Sequence, residues 1–140
     1  MSENELLKSI LKVHHEHLIQ KVLDACESPE PVVEISGLKR RCGLTTSIAH
    51  AVARLKSGSV LIACLHEAPA SDMRHMLDVL KPLVSVDVNT AAEIEGSLNW
   101  WEGCVDYDII IVDNFKFIPF AQELRIYTKK LVLCQTGKMD

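Results

Sequence analysis

The residues best suited to chemistry gather in Gly37-Leu38-Lys39-Arg40-Arg41-Cys42-Gly43-Leu44-Thr45-Thr46. A β-branched run (residues 32–36) precedes this stretch, and a helical pattern follows it from Thr45. Backbone N–H groups at the start of a helix attract phosphate, supported by the helix dipole. A hydroxyl such as that of Thr45 is suited to Mg²⁺. Lys39, Arg40 and Arg41 form the chain's only three-residue basic run, at a place where they would meet phosphate of any kind. Asp113 follows the apolar run 109–112, where it would share the water shell of a Mg²⁺ beside Thr45. His66 and Glu67 end another apolar run and form a candidate acid–base pair.

These groups act together only if the chain brings them to one edge. Residues 2–27 place Leu7, Ile10, Leu11, Leu18, Val22 and Leu23 at helical spacing, with Ser2 and Glu5 as a capping box. Ser28-Pro29-Glu30-Pro31 breaks that helix. Strands are expected at residues 32–36, 60–65, 83–88, 108–112 and 131–134. Helices are expected at 45–56, from a cap at Ser71 to Leu80, at 90–101 and at 120–130. Strand and helix in alternation imply right-handed crossovers and a mainly parallel sheet with helices on both faces, a three-layer α/β fold. One domain is expected over 1–140, with N-terminal helix and linker at 1–30 and the core at 31–140. Ligands of such sheets sit at the carboxyl ends of the strands. Loops begin there at Gly37, His66, Asn89, Asp113 and Gln135.

Composition narrows the function classes. The chain has 140 residues, 48% apolar and 24% charged, enough for one packed core. A net charge of −4 argues against a protein held on nucleic acid by bulk electrostatics. No two of the five cysteines have metal spacing, and Cys42, Cys64 and Cys134 lie in or beside apolar runs. A reducing compartment, cytoplasmic or nuclear, is expected, and no membrane partner. His14, His15 and His17 share a helix without the spacing of a metal pair and read as solvated. Of Trp100 and Trp101, one reads as core and the other as half-covering a sheet face, with a protein-binding edge as the alternative.

The strand, the loop ending Gly43-Leu44-Thr45-Thr46 and the following helix resemble the P-loop NTPase superfamily. Leu44 stands where that family has the lysine that reaches the β- and γ-phosphates. Leu38 stands at the first glycine, with Gly37 one residue away, and Lys39 matches the extra lysine of the deviant loops of partitioning ATPases. Tyr107-Asp108-Ile109-Ile110-Ile111-Val112-Asp113 is similar to a Walker B strand, and its separation from Gly37 is close to that of the RecA-like branch. Val60–His66 resembles the second core strand of that branch, which puts Glu67 near the water-activating glutamate. Leu131–Gln135 resembles the strand ending in the γ-phosphate-sensing glutamine, here Gln135. The likeness covers about residues 32–138.

The resemblance implies ATP and Mg²⁺ as cofactors. Gly37, Lys39, Arg40, Arg41, Gly43, Thr45, Thr46 and Gln135 would hold nucleotide or phosphate, Thr45 and Asp113 the metal, and Glu67 the water. With Leu44 in place of lysine, the expected function is that of a degenerate, non-hydrolysing RecA-like domain. It would serve as a binding or accessory protein in a multi-subunit or nucleic-acid-processing assembly. Its partner would be another protein or a second copy, or nucleic acid through Lys39, Arg40 and Arg41. The alternative is an active ATP-hydrolysing enzyme in which Lys39, Arg40 or Arg41 replaces the missing lysine.

Overall fold

The computed structural model describes residues 3–38, 43–101 and 106–136. Helix α1 (Glu3–Glu27) leads to strand β1 (Val32–Leu38), helix α2 (Leu44–Ala53), strand β2 (Ser59–Cys64) and helix α3 (Glu67–Leu80). Strand β3 (Ser85–Thr90), helix α4 (Ala91–Trp101) and strand β4 (Tyr107–Asp113) follow. Two 3₁₀ segments, Phe115–Phe117 and Ala121–Tyr127, then lead to strand β5 (Thr128–Thr136). The strands form one sheet in the order β1-β5-β4-β2-β3, and every neighbouring pair is parallel.

The near-continuous apolar strands are explained by burial on both faces. Side chains alternate across a strand. Ile62, Ile111, Val132 and Cys134 pack into the layer of α1, α2 and α3. Leu61, Ile110, Val112, Leu131 and Leu133 pack into the layer of α4 and the 3₁₀ segments. The three-layer α/β architecture expected from the sequence is therefore present. In α1 the residues that reach the core are Leu18, Ile19, Val22, Ala25 and Cys26, while Leu6 is exposed. The side chains of residues 7–14, including Leu7, Ile10, Leu11 and His14, lie outside the described residues, as does Ser2 with its expected cap.

Element ends depart from the expectations for physical reasons. Helix α3 starts at Glu67 rather than after Ser71. Pro69 falls in its first turn, where a backbone N–H has no helical partner in any case. Helix α2 stops at Ala53, and Arg54 and Leu55 close it with bonds to Ala51 and Val52. No α-helix spans 120–130. The 3₁₀ segment ends at Tyr127, and β5 takes up Thr128 onward. Lys130 is buried there, and its Nζ donates to the carbonyls of Ser28 and Glu30. The Leu131 N–H donates to the Pro31 carbonyl at 2.8 Å. These bonds fix β5 to the linker before β1, which a helix over 128–130 could not do.

Helix α4 carries a complete capping box. The Thr90 N–H donates to Glu93 Oε1 at 3.0 Å, and the Glu93 N–H to Thr90 Oγ1 at 3.2 Å. These bonds hold the Glu93 carboxyl below its ordinary range. Thr90→Ala is expected to cost about 1 kcal/mol in urea denaturation.

Cys26, Cys64 and Cys134 are buried free thiols, whereas Cys42 and Cys104 lie outside the described residues. Burial pushes Cys26 and Cys64 up to about 12, so they are unreactive. Trp101 is buried edge-on against Tyr127, with ring centroids 5.4 Å apart, while Trp100 is 80% exposed. Among the described residues, no helix is long and apolar enough to cross a membrane.

Candidate functional site

Strand parity decides which expected site residues meet. Asp113 ends β4 on the same face as Ile111, towards α2, and lies opposite Cys134 of β5. Thr45 is the second residue of α2. Its hydroxyl donates to Asp113 Oδ2 at 3.0 Å. Strand β5 separates β1 from β4, so this bond spans the middle of the sheet's carboxyl edge. Asp113 is only 3% exposed. Burial raises its carboxyl above the ordinary aspartate range, against the lowering effect of the Thr45 hydroxyl and the Asn114 N–H. The same carboxylate, after burial, helps push up the thiols of Cys64 and Cys134.

The start of α2 is built without a side-chain cap. Gly43 is its N-cap at φ 86°, the left-handed region that glycine enters at little cost, and the Ser47 N–H donates to the Gly43 carbonyl at 2.9 Å. His15 of α1 lies against this glycine: a Cβ there would fall 2.7 Å from His15 Nε2. Leu44, the first helical residue, is 3% exposed and belongs to the core with Ile35, Ile48 and Cys64. Thr45 and Thr46 face a cleft of about 580 Å³ towards α3, whose far wall carries Ser71, Asp72 and His75.

Compared with protein-family models, curated proteins and solved structures, the chain matches none.

The other expected site residues that are described go elsewhere. Gly37 lies inside β1, which runs on to Leu38 with a register shift between Ile35 and Leu38, rather than opening the loop. Lys39, Arg40 and Arg41 lie outside the described residues. Gln135 shares parity with Leu133, so it faces the layer opposite Thr45 and Asp113. It is buried there. Its Oε1 accepts the Lys116 N–H at 3.1 Å, and its Nε2 donates to the Thr136 carbonyl at 2.9 Å and to Asn114 Oδ1 at 3.4 Å. Those bonds tie the end of β5 to the turn after β4. Glu67 starts α3, and its Oε1 accepts from Arg74 Nη1 at 2.9 Å. His66, its neighbour, is the exposed N-cap and makes no side-chain cap bond.

Arg74 was not visible as a site residue in the sequence. It also donates to the Val88 carbonyl at 2.8 Å and stands 3.6 Å from Glu93. Its spacing from Glu67, two helical turns on one face, is the one sequence signal for this contact. His15 gave no such signal, because its contact joins elements far apart in the chain.

Hydroxyl and carboxylate oxygens suit a hard divalent cation, so Thr45 and Asp113 fit the metal end of a nucleotide. The fit fails at the γ-phosphate. Residue 44 is a core leucine, and among the described residues no lysine or arginine bonds to Thr45 or Asp113. Among the described residues, no cation stands at that position for a phosphoryl-transfer step, and Lys39, Arg40 and Arg41 lie outside them.

Proposed function

We propose that this chain is a degenerate RecA-like P-loop domain that acts by binding, as an accessory subunit, and not by hydrolysis. A five-strand parallel sheet with flanking helices is compatible with that fold. The reading is carried by the direct Thr45–Asp113 bond at 3.0 Å beside a core leucine at position 44. Phosphoryl transfer develops charge on the γ-phosphate that a positioned cation must stabilise. A leucine turned into the core supplies none. The bond between these two residues also holds α2 to β4.

The partner under this reading is another protein, with Lys39, Arg40 and Arg41 as the candidate contacts to nucleic acid. Titration calorimetry with ATP and Mg²⁺, alongside a phosphate-release assay, is the test. The expected result is neither micromolar binding nor turnover. Micromolar affinity with steady turnover would overturn the reading, and its loss on Lys39→Ala would establish the alternative enzyme.

A further inference from the structure

The two edges of the sheet differ. Strand β1 carries the register shift between Ile35 and Leu38 and exposes Glu34 and Ser36. Strand β3 pairs with β2 without a break from Ser59↔Ser85 to Cys64↔Thr90. It contains no proline, lysine or bulge, and its one charged residue is Asp87. Among the described residues nothing pairs with its outer side.

A groove of about 520 Å³ follows this edge. Val86 and Val88 face the α3 layer and Asp87 the other, yet all three line the groove, so it runs along the outer flank of the strand. Leu77 and Val84 extend its apolar lining. Next in sequence to lining residues, Val79 and Leu83 are 69% and 81% exposed.

Carboxylates outnumber cations here, with Lys81 beside the lining residue Pro82 and Arg74 in the lining itself. Asp78 has no ionic partner among the described residues, and Asp87 accepts only the Tyr107 hydroxyl, at 2.8 Å. The single cation in the lining, Arg74, is held by Glu67 and Glu93. Two carboxylates, Glu67 and Glu93, thus engage the guanidinium, which leaves Asp78 and Asp87 as the acidic side chains of the lining. A second copy of this edge would bring like charges together, which is unfavourable. A basic strand would be attracted.

We propose that the β3 edge receives an extended segment of another protein as a sixth strand, its apolar residues alternating with lysine or arginine. Main-chain bonds to β3 would supply affinity, and the valine-lined groove and the two aspartates would select the side chains. This surface is separate from Thr45 and Asp113, so its failure leaves the nucleotide reading standing, and the reverse holds as well.

The test is amide hydrogen exchange of the whole chain with a blocked peptide of alternating valine and lysine. Saturable slowing at residues 85–90 is expected, absent with a valine–glutamate peptide. The Asp78→Lys/Asp87→Lys variant should lose about tenfold or more in affinity while its thermal unfolding stays cooperative. No slowing at 85–90, or equal binding of the glutamate peptide, would overturn the proposal. So would protection of β3 without peptide in a chain that sediments as a dimer, which would assign the edge to a second copy.

Discussion

Leu44→Lys is expected to destabilise the domain severely and to create no phosphate site. Leu44 is 3% exposed among Ile35, Ile48 and Cys64. Lysine there either buries an unpaired ammonium or draws the first turn of α2 out of the core. An uncompensated buried charge costs roughly 3–5 kcal/mol, a large share of the 5–15 kcal/mol that holds an ordinary domain together. Urea denaturation followed by tryptophan fluorescence reads this as a midpoint lowered by more than that of Leu44→Ala, itself expected to cost about 2–5 kcal/mol. A variant that stays as stable as the parent and gains affinity for ATP·Mg²⁺ would contradict the packing account. It would show that one substitution restores the nucleotide site.

Asp113→Asn is expected to act in the opposite direction. Burial raises the Asp113 carboxyl above its unfolded value, so the folded chain holds a proton that the unfolded chain releases. Stability is then lost as pH rises from the ordinary aspartate range through the raised folded value. Asparagine has no charge to bury and keeps an oxygen to accept the Thr45 hydroxyl. The variant should therefore gain about 0.5–2 kcal/mol at neutral pH, a gain that shrinks in acid, where both residues are neutral. Calorimetric unfolding over a pH series reads the difference. A variant less stable at neutral pH would mean that the Thr45 bond to the ionised carboxylate outweighs the burial.

The frame of the molecule was legible because strand and helix signals agree. The run 109–112 reads as a buried strand and 90–101 as a helix, and β4 and α4 stand there. The segment 120–130 was not legible as it folds. Its apolar spacing suits a helix, but Lys130 is held by carbonyls of Ser28 and Glu30, about a hundred residues earlier in the chain. The site was legible where it depends on order along the chain, as with Thr45 and Asp113. It was not legible where it depends on parity. Gln135 stands at the right edge but on the opposite face, because one residue of register decides the face of a strand. Glu67 likewise ends the right strand, yet Arg74, on the next-but-one turn of α3, engages it.

The placement of β5 governs how this molecule can come into being. The last strand in chain order lies between the first and the fourth. While a nascent chain emerges from the ribosome, β1 has no strand to pair with, and the growing sheet holds only β2, β3 and β4. Until residues 128–136 insert between β1 and β4, Thr45 of α2 and Asp113 of β4 are related only through the packing of α2 on α3 and not through the sheet. Such late, non-local closure is slow and leaves unpaired edges open to misassembly in the meantime. A truncation before β5 would therefore not give a slightly smaller version of the same protein. It would leave β1 without a sheet neighbour and expose the apolar edge of β4.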